Sequence, residues 1–144
     1  MNRMNKNHCT AIDYGSLPYV TNLPQAATQN TNFRTAIWTG THLQMTLMCI
    51  PPCGEIGLEI HPDTDQAIRI EQGNAVVKMG QCKDRLNFQQ RLGKNDTIFV
   101  PAGTWHNIIN TGCMPLKISS IYTPPHHPKG TIHRTKQDAE RADY

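Results

Sequence analysis

Two stretches of this chain carry side chains whose types and spacing suit metal chemistry. In the first, Glu59 and His61 stand two residues apart, with Gln66 five residues further on. In an extended segment residues i and i+2 point the same way, so the carboxylate and the imidazole share one face while Leu58 and Ile60 occupy the other. Both polar groups then look either into solvent or into a cavity. Gln66 is in phase with Ile68 and Ile70, so if those isoleucines face a core, the Gln66 amide sits near the mouth of the same cavity. The second stretch, NDTIFVPAGTWHNIIN from Asn95 to Asn110, places His106 at the start of a strand, just after a Pro101-x-Gly103 turn. A histidine on a rigid strand end is well placed to be a ligand. Taken alone it is equally a buried histidine that hydrogen-bonds locally. A carboxylate, an amide and two imidazoles could converge on one cation, or form a satisfied polar cluster without one.

The elements that must position these groups read as short strands. Thr41 to Ile50 alternates, with Leu43, Met45, Leu47 and Cys49 on one face and His42, Gln44 and Thr46 on the other. The apolar row predicts the core face, so His42 and Gln44 either line the cavity or face water, the second being the simpler expectation. Further strands are predicted at Ile56–His61, Asp65–Glu71, Ala75–Met79, Leu86–Leu92, Thr97–Val100, Trp105–Asn110 and Leu116–Tyr122, divided by turn residues such as Gln72-Gly73-Asn74 and Gly93-Lys94-Asn95. Short strands at regular spacing indicate an all-β sandwich or barrel. Before them, Asn22-Leu23-Pro24 opens a capped short helix with proline in its first turn. After them, Thr123-Pro124-Pro125-His126-His127-Pro128 breaks the sheet, and a short helix is expected from about Lys136 to Arg141. The chain thus divides into an N-terminal arm (1–32), a barrel (33–125) and a C-terminal tail (126–144), whose His126, His127 and His133 either close over the mouth as a lid or lie in a solvated tail, the second being the expectation.

At 144 residues the chain fits one domain with a real core. Its net charge of +3 hides an acidic stretch at Glu55, Glu59, Asp63, Asp65 and Glu71, which suits a cation. No basic patch with interleaved aromatics supports nucleic-acid binding. No run of ~18 apolar residues could span a membrane, and the N-terminus lacks the apolar core of a secretory signal, so a cytoplasmic protein is expected. Five cysteines at irregular spacing argue against a disulfide framework.

The two stretches together resemble the paired motifs of the cupin superfamily. The first family motif contains a glycine, His-x-His, three or four residues, Glu, six residues and Gly. Here Gly54 precedes Glu59-x-His61, four residues lead to Gln66 and six more to Gly73. Glu59 stands where the first histidine is usual, and Gln66 where the glutamate is usual. The second motif runs Gly, five residues, Pro-x-Gly, two residues, His, three residues, Asn. It appears here from Asn95 through Pro101, Gly103 and His106 to Asn110, with only the first glycine replaced. The resemblance implies a single jelly-roll barrel with a divalent metal inside, held by Glu59, His61, Gln66 and His106. Two histidines and one carboxylate suit an open non-haem iron site, and mixed nitrogen and oxygen donors also suit Mn, Zn or Ni. Glu59 is either a ligand or a general base, and so the candidate catalytic residue. His42, Gln44 and Trp105 are the candidate substrate contacts, although Trp105 also suits a supporting place in the hairpin. The resemblance extends to mannose-6-phosphate-isomerase-like cupins. It implies a small polar substrate and an isomerase or epimerase, with an iron oxygenase or a non-catalytic binding module as alternatives. Exposed sheet edges and a free N-terminal arm suggest a homodimer.

Overall fold

The computed structural model describes residues 12–142; residues 1–11 of the expected arm and 143–144 of the tail lie outside them. The element order is α1 (Leu23–Gln29), β1 (Arg34–Thr39), β2 (Gln44–Ile50), β3 (Asp65–Gln72), β4 (Ala75–Gly80), β5 (Phe88–Leu92), β6 (Thr97–Val100), β7 (Trp105–Asn110), β8 (Leu116–Thr123), β9 (Ile132–His133) and α2 (Lys136–Arg141). Two antiparallel sheets form, one in the order β6-β3-β8-β2-β1-β9 and the other β5-β4-β7. The strand pattern predicts an all-β sandwich or barrel, and this is the jelly roll that the cupin resemblance implies.

The inward-facing rows change character along their length. Register pairs Ile50 with Leu116, Met48 with Ile118, Thr46 with Ser120 and Gln44 with Tyr122. On the other side of β8, Ile70 meets Ile118, Ile68 meets Ser120 and Gln66 meets Tyr122. One end of the barrel is therefore an apolar core of Met48, Ile50, Ile68, Ile70, Leu116 and Ile118, closed from the opposite sheet by Val77, Met79 and Ile108. The other end collects Gln44, Thr46, Gln66, Ser120, Tyr122 and His106, all buried. The apolar end supplies the hydrophobic free energy. The polar end holds the chemistry.

The alternation in β2 misleads about which face is the core. Gln44, Thr46, Met48 and Ile50 face the barrel interior, and Gln44 and Thr46 are fully buried. Leu47 and Met45 lie on the outside, where Ala27, Leu23 and Ala26 of α1 and Ile37 of β1 cover them. A strand covered on both faces loses its polar-out signature, and that reverses the expectation for Gln44. The helix itself forms as its sequence dictates, with Pro24 in its first turn and the Asn22 side chain accepting from the Gln25 N–H. β1, buried over its first four residues, is not among the expected strands.

The segment Ile56–His61 is extended but is not a ladder strand. Gly57 has φ +106°, a conformation that interrupts regular pairing. Single bridges from Glu55 to Ile109 and from Glu59 to His106 tie the segment to β7 instead. The expected Leu86–Leu92 strand begins later, at Phe88. The stretch after Tyr122 is not a solvated tail: β9 pairs with β1 through Arg34↔His133 and Thr35↔Ile132, and His127 and His133 are buried. α2 forms where expected, fixed by a capping box between Thr135 and Asp138. The four described cysteines are free.

Ile118 is fully buried where β2, β8 and β3 meet. Ile118→Ala is expected to cost about 2–5 kcal/mol by leaving a cavity there, read as a lower urea midpoint at unchanged slope. A loss below about 1 kcal/mol would contradict a continuous core through this row.

Candidate metal centre

The two sequence stretches meet through backbone hydrogen bonds. The Glu59 N–H donates to the His106 carbonyl and the His106 N–H donates to the Glu59 carbonyl, both at 3.0 Å. Two residues on, the Gly103 N–H donates to the His61 carbonyl at 2.9 Å. Gly103 has φ +76°, which the turn requires and glycine supplies at no steric cost. The Asn107 side-chain oxygen accepts from the Gly57 N–H at 2.9 Å, anchoring the irregular segment.

These constraints bring Glu59, His61 and His106 together, with one potential ligand atom from each lying within 4.8 Å of the others. His61 Nε2 is 3.8 Å from Glu59 Oε2. His106 Nδ1 lies 2.9 Å from the Thr104 carbonyl. A carbonyl only accepts, so Nδ1 carries the proton and Nε2 presents its lone pair. That Nε2 is buried without a hydrogen-bond partner, as are both ring nitrogens of His61 and the side-chain oxygen of Gln66. The Gln66 amide nitrogen donates to Ser120 Oγ at 2.7 Å, which leaves the oxygen as its available donor atom.

Buried polar atoms without partners are costly, about 1–3 kcal/mol each. Two imidazoles with such atoms, His61 and His106, gathered beside one carboxylate fit a cation. The four residues expected as ligands therefore share one end of the barrel: Glu59, His61 and His106 as a close set, and Gln66 across the register from Tyr122. Burial pushes His61 down to about 3, helped by the neighbouring His126, His106 and Arg34. It is a neutral imidazole at neutral pH, the form that binds metals. Burial raises Glu59 above the ordinary carboxylate value, against the opposing pull of Arg34 and His106.

The other sequence candidates divide. Gln44 lies inside, but its amide is committed. It donates to Thr39 Oγ1 at 3.0 Å and to the His127 carbonyl at 2.8 Å. Its oxygen accepts from the His126 N–H at 3.2 Å and the His127 N–H at 2.9 Å. With both donors and both lone pairs engaged, Gln44 positions the His126–His127 backbone and has nothing left for a substrate. His42 is exposed in the β1–β2 connection. Trp105 is half-buried and adjacent to His106 in β7, so it presents to the opposite face.

Five residues at or beside this end are absent from the sequence-based set: Tyr122, His126 and His127, with Arg34 and His133 in register with Met48 at the border of the apolar core. The His126 ring lies 4.2 Å from that of His61 and 5.8 Å from that of Tyr122, centroid to centroid. His127 stands edge-on to Tyr122 at 5.1 Å. The pattern Pro-Pro-His-His-Pro was the available signal, but nothing local distinguishes a strap folded over a barrel mouth from a solvated tail. Tyr122 could have been found by phase, since it continues the row of Ile118 and Ser120. A second clasp holds the strap: the Asp13 carboxylate accepts from the Thr39 N–H at 2.9 Å and from the Gly130 N–H at 2.9 Å.

Comparison with known proteins agrees with this fold. Residues 46–122 match the Cupin_2 family, described as a cupin domain. The chain is 58% identical over 131 residues to the uncharacterized protein YrkC of Bacillus subtilis, an alignment covering 91% of this chain and 70% of that one. It is 43% identical over 115 residues to an uncharacterized protein of Acanthamoeba polyphaga mimivirus, covering 79% of this chain and 70% of the relative. The crystal structure of BH2720 from Bacillus halodurans superimposes with a TM-score of 0.90 at 50% identity, covering 91% of this chain and 99% of that one. The chain belongs to the cupin family. No helix among the described residues is long and apolar enough to cross a membrane.

Burial also pushes His127 down to about 2, with Arg34, His126, His61 and His133 adding to the shift. Its pKa is lower folded than unfolded, so between pH ~6.5 and ~2 the unfolded chain binds a proton that the folded chain refuses. Stability from this group is complete above pH ~6.5 and is lost as pH falls through that window. The urea midpoint of metal-free protein is expected to drop from pH 7 to pH 4, and to drop less in His127→Gln. Equal slopes in the two proteins would contradict the assignment.

Gln44→Ala leaves two buried N–H groups and a carbonyl without partners, at about 1–3 kcal/mol each. Hydrogen exchange at the His126 and His127 amides is expected to accelerate while exchange in β4 and β7 stays slow. Uniform acceleration would mean that Gln44 supports the whole barrel rather than the strap.

Proposed function

We propose that this cupin holds one divalent metal through Glu59, His61 and His106, with the Gln66 oxygen as a fourth donor, and acts on a small polar molecule by proton transfer, as an isomerase or epimerase does. The observation that supports the metal is the convergence of partnerless buried ring nitrogens on one carboxylate. When bound, the metal supplies Lewis-acid polarisation of a substrate oxygen. The chain's own residues supply the rest. The apolar core below the cluster and the His126–His127 strap beside it limit access of water. His126, half-buried, has its pKa lowered by burial and by Arg34, so it is a neutral base at neutral pH. It lies against His61, within reach of a molecule held at the cluster. Glu59, 30% exposed, is the second group able to accept or return a proton if it does not ligate.

One observation favours a second reading. Two histidines and one carboxylate are the donor set of open-sided iron(II) sites, so an oxygenase is the alternative. A binding module without turnover would share the same donors.

The test begins with metal analysis of protein purified without added metal. Wild type is expected to carry near-stoichiometric divalent metal, and the His61→Ala/His106→Ala double variant only background. Equal metal in both proteins would overturn the site. Small sugars and hydroxy acids are then incubated in D₂O, with and without O₂. Deuterium entering a substrate C–H bond without O₂ supports the isomerase; oxygen uptake by the iron-loaded protein supports the oxygenase; neither supports the binding module.

A further inference from the structure

We propose that the polar end of this barrel takes a small oxyanion-bearing ligand, with its carboxylate or phosphate group received by Arg34. This deepens the functional reading above and rests on it for the position of the ligand's other end, beside the Glu59–His61–His106 cluster.

Arg34 is only 5% exposed, yet it has no carboxylate partner. The ion pair of permanent charges among the described residues is Arg69–Glu71; neutral His61 stands 3.8 Å from Glu59 without forming one. The neighbours of Arg34 hold it without neutralising it. Nη1 lies 3.1 Å from His133 Nδ1. A guanidinium only donates, so that nitrogen accepts and His133 is neutral. Nη2 reaches the Met48 sulfur at 4.0 Å, a weak acceptor. The guanidinium carbon stands 5.4 Å from the centre of the Phe33 ring, within cation–π range. Nε is buried with no hydrogen-bond partner. An arginine cannot shed its proton to escape burial. A buried, permanent cation with an idle N–H and no carboxylate within ion-pair distance is costly in the free protein, and a ligand that brings an anion into contact offsets that cost.

Its place in the fold points the same way. In the sheet Arg34 pairs with Met48 on one side and with His133 on the other, in the row that faces the barrel interior. Its positive charge acts on Glu59, His61, Tyr122, His126 and His127, so it lies within electrostatic reach of the cluster. A cavity of about 370 Å³ lined by Arg34, Glu59, Phe33, Gly57, Lys136 and Glu140 reaches both residues from the side of α2. That volume suits a small molecule. Charge counting sets its sign. A divalent metal and Arg34 bring three positive charges, and Glu59 returns one. With neutral histidines the site keeps two positive charges, which a dianion would neutralise. The planar fork of arginine matches a carboxylate or a phosphate in two-point contact.

The experiment uses malonate and inorganic phosphate as probes, with neutral malonamide as control, on chelator-treated and zinc-loaded full-length protein. Malonate or phosphate is expected to raise the melting temperature of wild type and to bind in calorimetry, while malonamide does neither. Arg34→Met is expected to weaken that binding at least about tenfold, the worth of one charge-assisted contact. Its zinc content should be unchanged, and it should melt no lower than wild type because a costly buried charge has gone. Arg34→Lys keeps the charge without the fork and is expected to fall between the two. Lost zinc in wild type would mark failure of the metal reading alone, because the anion arm is also read in chelator-treated protein. Wild type that responds to neither anion, or Arg34→Met that binds both as tightly as wild type, would overturn the proposal. Should Arg34→Met fail to fold, the wild-type melting shift and the Arg34→Lys affinity decide it.

Discussion

The reciprocal backbone hydrogen bonds between Glu59 and His106 are the constraint on which the rest of the site depends. They join an irregular segment, broken by Gly57, to a regular strand. Without them Ile56–His61 would be a loop free to turn its polar residues to water. With them, the carboxylate of one stretch and the imidazole of the other occupy fixed places. The Gly103–His61 bond extends the same zipper by one turn, so the Pro-x-Gly bend supports His61 as well as His106. A ligand set needs rigidity more than it needs regular secondary structure, and three main-chain bonds supply it here.

A second feature follows from register. β2, β3 and β8 each have an apolar half and a polar half along their inward rows, and the antiparallel pairing aligns the polar halves. A slip of one residue in β8 would turn Ser120 and Tyr122 outward and bring Ser119 and Ile121 in. The apolar halves, with Ile70 against Ile118 and Ile50 against Leu116, oppose that slip through hydrophobic burial. The core thus fixes the register that assembles the site.

Much of this was legible in the sequence. Most strands, the turns and both helices were read from period-two alternation and turn residues, and the paired motifs pointed to Glu59, His61 and His106, which the fold brings together. What escaped shares one physical cause. Arg34 meets His133 across 99 residues of chain, and Gln44 holds His126 and His127 across more than eighty. Local pattern carries no information about such contacts. The inner face of β2 was hidden for a related reason: α1 covers the outer face, so Leu47 is as buried as Thr46 and the alternation no longer marks the core. Polar residues pointing into a barrel look, in one dimension, like polar residues pointing at water.

The polar end divides its hydrogen bonding in a way that bears on function. Groups that build the framework are satisfied: both halves of the Gln44 amide, the Asn107 oxygen, and the Asn110 amide that donates to the Ile50 and Met114 carbonyls. Among the atoms left without partners are the His61 ring nitrogens, His106 Nε2, the Gln66 oxygen, Thr46 Oγ1 and Arg34 Nε. A barrel selected for stability alone would pair or replace these, since each costs about 1–3 kcal/mol. Natural sequences break such rules mainly where binding or catalysis requires it. One ring nitrogen of neutral His61, His106 Nε2 and the Gln66 oxygen offer lone pairs that want a cation, and Arg34 Nε offers an N–H that wants an anion. One end of one barrel therefore asks for both charges at once, and a metal together with an anionic ligand satisfies each demand with the other's help.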